Sequence, residues 1–462
     1  MALDRPKILI ATFGTLGDVN PFIGLGRALQ RQGCVPVIAT SEEYRDLIEG
    51  EGLDFRPMRP DLGEISSRLN MQKGEIATKM SRSKRFLFDQ VMFPHLRDAY
   101  RDVMELTKDV DGVVTHCLAF GAKAAAEQRN LPLFNVFLSP MLLFSADNPP
   151  LGTPAPFMTS RSPLAVGYNG LLIKTIEAAL TLLASPLARF RDELGLPGVR
   201  GFELLVGAPG AAATIGLFSS LLMPPVSKPR RSEIVVGHSF HDGCNGPAGA
   251  SDPGGLPSDL IEFLDSGSEP IVFTLGSLVA IDRIDYFRAC AIAARSLKRR
   301  AILLADSADV DKLRQEMSSE ISVHGYVPHL LLFPRCCAVV HHGGMGSVGQ
   351  ALRAGKPQLV TPFCNDQFDI AERLRRLGVA RTLKAKDVSA DQLARNIEWL
   401  LSSASYADRA RAVADEIALN DGAESAAALI SQRLRRRGPG ISGCVVEGSL
   451  EQSASEDCGG NV

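Results

Sequence analysis

A histidine followed by a glycine-rich turn is the stretch of this 462-residue sequence whose residue types best suit chemistry. His342 follows an apolar run at residues 338–340, typical of a buried strand, and precedes the turn Gly-Gly-Met-Gly-Ser at residues 343–347. A helix that begins there leaves its first amide N–H groups without partners and adds the positive end of its dipole. The sequence therefore predicts a phosphate site with the amides of Gly344, Met345, Gly346 and Ser347 and the His342 imidazole as a further donor. The alternative is that His342 packs in the core or caps the helix.

A second glycine turn follows the first apolar run of the chain and carries Asp18. Residues 7–12 are typical of a buried strand, and residues 22–31 have the apolar face of a helix. Asn20 is a typical helix N-cap and Pro21 suits a first helical turn. We therefore expect Asp18 to point from the end of the strand into a cleft. The alternative is that Asp18 itself caps the helix.

These two turns belong to two series of alternating strands and helices, which predict two Rossmann-like α/β domains facing each other across a cleft. Further buried strands are expected at residues 112–115, 133–138, 270–277, 301–305 and 323–327. Residues 214–219 are expected to be the last strand of the first domain, and a Pro-, Gly- and Ser-rich linker follows. We predict domains at residues 1–227 and 228–437, with residues 234–239 entering the second. We expect the final helices to return to the first domain and residues 438–462 to be a disordered tail.

Composition excludes several classes of protein. A net charge of -2 offers no global field for nucleic acid, and 45% hydrophobic with 22% charged residues is typical of a globular chain. Nine cysteines without paired spacing indicate free thiols in a reducing compartment. Lys174 and Glu177 interrupt the apolar stretch at residues 164–187, so no membrane-spanning helix is expected, and no signal peptide is visible. We expect a cytoplasmic protein.

Residues 79–93 mix basic and large apolar side chains. This pattern fits a helix that lies on a membrane surface or grips an acceptor, and it raises the prospect of peripheral attachment to the inner face of the membrane. It equally fits an ordinary amphipathic helix with a solvated basic face.

The turn at residues 342–347, with Gly-Lys-Pro-Gln at 355–358, Pro362 and the Asp-Gln pair at 366–367, resembles the donor-binding signature of the family 1 glycosyltransferases, which have the two-domain GT-B fold. Gly-Tyr-Val-Pro-His at 325–329 resembles the segment where that family binds the nucleobase. The doubled histidine at 341–342 is similar to the sterol and glycolipid branch, and residues 366–374 resemble the bacterial rhamnosyltransferase of rhamnolipid synthesis. The likeness runs from the first strand to the last helix.

This resemblance implies a donor site and a catalytic base. The donor-binding residues it implies are Gly276, Ser277, Tyr326, Val327, His342, Gly344, Gly346, Ser347, Asp366 and Gln367. Gly17-Asp18 matches the Gly-Asp pair that this branch has where other members have a catalytic histidine, so Asp18 is the expected base. An aspartate with a pKa of about 4 needs burial or a neighbouring group to act as a base. The alternatives are a common Gly-Ser turn at 276–277, a core aromatic at Tyr326, and a helix cap at Asp366 with Asp369 completing a capping box.

The same resemblance places the acceptor against loops after the strands of the first domain. The candidates there are His116, Phe137, Ser139, Met141 and Phe144, and their apolar side chains would suit a lipid-like acceptor.

The function implied is inverting transfer of a hexose from a UDP- or dTDP-sugar to a hydroxyl of a lipophilic acceptor, without a metal or other cofactor. The alternatives are a non-catalytic, sugar-nucleotide-binding partner subunit and a nucleotide-sugar epimerase of the GT-B fold.

Overall fold

The computed structural model describes residues 5–153, 155–199, 201, 211–223, 233–241, 255–276, 283–364 and 366–436. Their strands form two parallel sheets. The first sheet has the order β3-β2-β1-β4-β5-β6-β7. Its strands are β1 (Lys7–Ala11), β2 (Val35–Thr40), β3 (Asp54–Pro57), β4 (Gly112–His116), β5 (Leu133–Phe137), β6 (Ala213–Gly216) and β7 (Glu233–Val235).

The second sheet has the order β10-β9-β8-β11-β12-β13. Its strands are β8 (Ile271–Thr274), β9 (Ala301–Leu304), β10 (Ile321–His324), β11 (Ala338–His341), β12 (Gln358–Val360) and β13 (Ala380–Thr382). In each sheet the strand order reverses beside a central strand, β1 in the first and β8 in the second. Open α/β sheets bind ligands at such switch points, outside the carboxyl ends of the strands.

Helices cover both sheets. In the first half of the chain they are α1 (Leu16–Arg31), α2 (Arg45–Gly50), α3 (Leu62–Leu69), α4 (Lys73–Arg82), α5 (Lys84–Phe86), α6 (Leu96–Leu106), α7 (Phe120–Gln128), α8 (Pro163–Leu183) and α9 (Ser185–Glu193). In the second half they are α10 (Ser258–Asp265), α11 (Arg283–Ser296), α12 (Ser307–Glu316), α13 (His329–Leu332), α14 (Met345–Arg353), α15 (Gln367–Leu377), α16 (Ala390–Ser402), α17 (Ala404–Ala418) and α18 (Gly422–Arg436).

Burial on both faces explains the apolar runs of the sequence. The side chains of Ile8, Leu9 and Ile10 in β1 have no solvent exposure, and Val339 and Val340 in β11 have none either. Parallel strands covered by helices on both faces have such continuous apolar sequences. The two-domain α/β fold expected from the sequence is therefore confirmed.

The structure corrects where the first sheet ends. We expected residues 234–239 to enter the second domain, but β7 pairs in parallel with β6, with Ile215 opposite Ile234. The first sheet thus extends beyond residue 227, because the chain adds one more strand at its edge before crossing over. The last helix returns to the first domain, where Ala423, Ala427 and Ile430 of α18 are buried in the same core as α1. The tail at 438–462 lies outside the described residues.

The basic and apolar segment at 79–93 is not one helix. α4 ends at Arg82, Ser83 has an extended backbone and caps α5, and a π-helical turn covers Leu87–Met92. Leu87, Val91 and Met92 are buried in a core cluster with Phe120 and Phe190. Its apolar side chains thus pack inside the first domain, in the manner of an ordinary amphipathic segment.

No single helix among those the structure describes has the length and hydrophobicity to cross a membrane. α8 and α9 meet the length and composition test only as a pair, and they are bent by 62° at their junction. The described cysteines are free, and four of the six are buried.

Candidate active site

The cleft between the two sheets has a volume of about 460 Å³ and receives residues from both domains. The first domain contributes the turn at the start of α1, and the second contributes the ends of β8, β10 and β11 with the loop before α15. Predicted site residues that line it are Asp18, Gly276, Tyr326, His342, Gly344, Gly346, Ser347, Asp366 and Gln367. Residues separated by more than 300 positions in the sequence thus meet in one cavity.

Asp18 both supports its helix and faces the cleft. Helix α1 begins at Leu16 with Thr15 as N-cap. The expectation of an Asn20 cap with Pro21 in the first turn is therefore wrong, and Pro21 lies inside the helix. Asp18 Oδ2 accepts hydrogen bonds from the Thr15 amide, at 2.8 Å, and from its hydroxyl, at 3.1 Å. The capping alternative is therefore partly correct. Asp18 is the third residue of α1. Its side chain can accept a hydrogen bond from the N-cap amide and still face the cleft, because the first turn of α1 borders the cleft.

The environment of Asp18 suits a base. Its side chain is 35% exposed, and the space it faces is the cleft. Burial raises the pKa of its carboxyl above the ordinary value of 3.8, while the Thr15 amide and hydroxyl oppose that rise. A raised pKa increases the basicity of a carboxylate, which is what proton abstraction from an alcohol needs.

His116 is the nearest titratable partner of Asp18. It is the last residue of β4, it is 5% exposed, and its Nε2 lies 3.9 Å from Asp18 Oδ1. Its ring meets Phe22 of α1 edge to face, with centroids 6.0 Å apart. Sequence analysis placed His116 in an acceptor wall, whereas the structure places it beside the candidate base, because β1 and β4 are neighbours in the sheet.

The helix start at α14 has the features of an anion site. Its N-cap is Gly344, which has no side chain to cap the amides of the first turn. His342 packs between two glycines: a Cβ built on Gly276 would lie 2.5 Å from its Cε1, and one on Gly344 would lie 2.4 Å from its Nε2. Larger residues at either position would displace the imidazole.

The two adjacent histidines have different surroundings. His341 is fully buried, its Nδ1 accepts from the Gly343 amide at 3.0 Å, and its Nε2 donates to Gln358 Oε1 at 2.9 Å. His341 therefore holds the glycine turn in place. His342 lines the cleft, and its buried Nδ1 has no hydrogen-bond partner among the described residues. Burial lowers the pKa of His342 to about 3, so it is a neutral, single N–H donor at neutral pH.

Asp366 and Gln367 lie at the start of α15. Asp366 is the N-cap residue, but its side chain makes no capping hydrogen bond, and Asp369 is buried in an ion pair with Arg373 at 2.6 Å. The alternative is therefore correct in placing Asp366 at the N-cap and wrong in expecting a capping box with Asp369. Burial raises the pKa of the Asp366 carboxyl, and Asp18 across the cleft adds to that rise. Gln367 Oε1 accepts from the Phe363 and Cys364 amides, which fixes the loop and leaves its amide nitrogen for other contacts.

Stacked aromatic rings form part of the second-domain side of the cleft. Tyr326 is 50% exposed and stacks on His329, which in turn stacks on Phe333 with centroids 4.3 Å apart. Val327 is 1% exposed, and its carbonyl accepts from His329 Nδ1 at 3.1 Å. Val327 is therefore core, whereas Tyr326 is half exposed and lines the cleft.

The acceptor wall expected from the sequence is largely corrected. Phe137 has no exposed surface and packs against Leu143 and Phe218, and Phe144 is also buried. Neither residue lines the cleft, and nor does the half-buried Met141. Leu138 lines it instead, because it follows the last residue of β5 and so lies beyond the carboxyl end of that strand. Ser139 is 6% exposed and lies close enough to Asp366 to lower the pKa of its carboxyl, although its hydroxyl makes no hydrogen bond of ordinary geometry.

The structure does not test the predictions about Ser277 and about independence of metals. Ser277 lies outside the described residues. In the part of the chain that is described, no three His, Cys, Asp or Glu side chains are arranged to hold a metal ion, and independence of metals stays a prediction.

Sequence analysis missed the segment after β7. His238, Ser239, Phe240 and His241 line the cleft. The Ser239 hydroxyl donates to the Pro21 carbonyl at 2.8 Å, which anchors this crossing segment to α1. No local pattern in the sequence indicates this contact, because it joins segments more than 200 residues apart.

Two family models match the chain. The N-terminal domain model of glycosyltransferase family 28 matches residues 8–144, and the C-terminal domain model of proteins like the erythromycin biosynthesis protein CIII matches residues 296–431. The first match includes Asp18 and His116, and the second includes the histidine and glycine turn and the start of α15.

Curated relatives agree with these models. A sterol 3-beta-glucosyltransferase of Candida albicans is 29% identical over 82% of this chain, which spans 24% of that relative's length. An uncharacterized glycosyltransferase of Mycobacterium leprae is 26% identical over 91% of this chain and 95% of its own length. The chain thus spans only about a quarter to a third of the fungal sterol glucosyltransferases it matches.

Solved structures agree with the fold. A calicheamicin glycosyltransferase superposes with a TM-score of 0.69 at 18% identity, covering 95% of this chain and all of the other. A spinosyn rhamnosyltransferase complexed with thymidine diphosphate superposes with a TM-score of 0.63 at 18% identity, covering 92% of this chain and 99% of the other.

Proposed function

Because the chain belongs to the family 1 glycosyltransferases, with the GT-B fold, we propose that it transfers a hexose from a UDP- or dTDP-sugar to a hydroxyl of a lipophilic acceptor, with inversion at the anomeric carbon. The observation that carries this proposal is the opposition, across one cleft, of the Asp18 carboxyl and the uncapped start of α14 beside His342. One is a base with a raised pKa, and the other is a set of donors suited to a diphosphate.

In the proposed reaction the acceptor oxygen attacks the anomeric carbon while Asp18 takes its proton. The bond between that carbon and the diphosphate oxygen breaks, and the nucleoside diphosphate leaves with the electron pair. The amides at the start of α14 and the His342 N–H receive the charge that develops. A donor fixed where negative charge develops commonly contributes about 3 to 4 kcal/mol to lowering the barrier.

His116 acts as a positioning residue in this proposal. Thr15 holds Oδ2 of Asp18, and His116 faces Oδ1, so the carboxylate is oriented from both sides.

The choice of substrates rests on separate observations. Tyr326 lines the cleft, is half exposed and stacks on His329, so an aromatic ring is present where a nucleobase could stack. Asp366 and Gln367 are proposed to bind sugar hydroxyls, as the family signature implies. The fungal relatives are sterol 3-beta-glucosyltransferases, which supports a lipophilic acceptor. One structural neighbour is complexed with thymidine diphosphate, which supports a nucleoside diphosphate donor.

The test is a donor panel of UDP- and dTDP-sugars. Binding is scored by ligand-induced thermal shift, and turnover by product mass with sterol, hydroxy-fatty acid and glycolipid acceptors. The proposal expects at least one pair to give an acceptor heavier by one sugar residue. Conversion of a donor without acceptor would instead indicate an epimerase, and donor binding without turnover would indicate a non-catalytic subunit.

A further inference from the structure

A second cavity lies at the seam between the two domains and shares no lining residue with the active-site cleft. Its volume is about 280 Å³. The first domain contributes Asn148 and Arg161 to its wall, and the second contributes Arg373, Arg376 and Arg409. An occupant of this cavity would therefore touch both domains.

The cavity is rich in positive charge. Four arginines line it against a single carboxylate, Asp147, whose Oδ1 accepts from the Ser145 hydroxyl at 2.5 Å. Two carboxylates behind the wall pair with two of these arginines: Asp369 with Arg373, and Glu372 with Arg376, at 2.8 Å.

Two buried donors on the wall lack partners. Arg373 and Asn148 are each 4% exposed. Arg373 Nε donates to Asp369 Oδ2 at 2.6 Å, and its Nη1 donates to the Leu222 carbonyl at 3.0 Å. Arg373 Nη2 and Asn148 Nδ2 make no hydrogen bond with any described residue. Buried donors are almost always satisfied in folded proteins, so this pair calls for an acceptor that the chain itself does not supply.

We propose that this cavity at the seam between the domains binds a phosphate group, which is held by the four lining arginines and by the side-chain amide of Asn148. Guanidinium groups match the geometry of phosphate oxygens and bind them through paired, charge-assisted hydrogen bonds. Arg373 and Arg376 belong to α15, whose first residues are Asp366 and Gln367 of the active-site cleft. A bound phosphate thus fixes the donor-side helix against the first domain.

Arg376 and Arg375 provide a matched pair of variants for the test. Both pair with Glu372, at 2.8 Å, and both are exposed, but only Arg376 lines the cavity. Inorganic phosphate is titrated at constant ionic strength into the full chain, and the thermal shift is recorded. The His342→Ala chain is used throughout to weaken phosphate binding at the start of α14, and any binding that remains there is common to the Arg375→Gln and Arg376→Gln chains. Arg376→Gln and Arg161→Gln should weaken the saturable response about tenfold or more, and Arg375→Gln should leave it unchanged.

A second arm identifies the source of the phosphate. Cosedimentation with phosphatidylglycerol vesicles is compared with phosphatidylcholine vesicles for the same variants. Binding that needs phosphatidylglycerol and is lost in Arg376→Gln but kept in Arg375→Gln assigns the cavity to a lipid headgroup, whereas a response to inorganic phosphate alone assigns it to a free anion. Absence of both responses, or equal loss in the two variants, overturns the proposal. These outcomes do not depend on glycosyl transfer.

Discussion

Asp18→Asn is the substitution that separates the chemistry of Asp18 from its structural part. An asparagine oxygen can still accept from the Thr15 amide, so the helix cap is retained. The carboxylate is lost, and a positioned general base contributes about 10²–10⁴-fold to the rate, which is about 2.7 to 5.4 kcal/mol of activation free energy. We therefore expect transfer to fall at least a hundredfold with nucleotide binding unchanged.

Stability provides an internal check on this variant. The pKa of Asp18 is raised above 3.8 in the folded chain, so the folded chain binds more protons than the unfolded chain between the two values. Its free energy of unfolding therefore falls as pH rises through that window, by the share that Asp18 contributes. Asp18→Asn removes this titration and should unfold no more easily than the parent chain at neutral pH.

The assay is product mass with a donor and acceptor pair from the panel, alongside thermal shift with nucleoside diphosphate. Thr15→Ala is the control: it loses the hydroxyl bond to Asp18 and about 1 kcal/mol of cap stability, but it keeps the base and should lose less than about tenfold in rate. The assignment of Asp18 is refuted if Asp18→Asn keeps more than about a tenth of the parental rate.

Three further predictions concern the donor side and pH. In Gly346→Ala the added Cβ would meet no atom within 4 Å, and the substitution removes a helical glycine, so the free energy of unfolding measured by chemical denaturation should rise by up to about 1 kcal/mol. The affinity for nucleoside diphosphate should fall, and an unchanged affinity would show that the phosphates lie elsewhere. Gly344→Ala and His342→Ala should each weaken donor binding and turnover in steady-state kinetics, because the Cβ added at Gly344 would displace the His342 imidazole. Normal donor kinetics in both variants would contradict the role of His342 in phosphate binding. The profile of kcat/KM against pH should rise through an acid limb set by the raised pKa of Asp18, and a limb that persists unchanged in residual Asp18→Asn activity would assign it to another group.

The strands and the donor turn could be predicted because their signals are local. Continuous apolar runs such as residues 338–340 indicate strands buried on both faces, and the glycines after them mark turns that only glycine fits, as at Gly276 with φ +64°. The start of α1 was misplaced because Asn20 is a good cap in general, while Thr15 is the residue that occupies the extended cap position.

Contacts between distant segments account for the remaining differences. His116 meets Asp18 only because β4 lies beside β1, an adjacency that no local pattern encodes. Leu138 rather than Phe137 lines the cleft, because β5 ends at Phe137 and the position of that end is not marked in the apolar run. The pairing of β7 with β6 and the contact of Arg373 with the first domain likewise depend on how the chain crosses between the domains.

We propose that one cleft holds the acceptor hydroxyl beside Asp18 and the departing diphosphate at the start of α14. The most direct test of this proposal measures nucleoside diphosphate release and glycosylated product together, with and without a lipophilic alcohol. The account predicts equal amounts of both, only when the alcohol is present and Asp18 is intact. Diphosphate released with no glycosylated alcohol, or product formed equally well by Asp18→Asn, would contradict it.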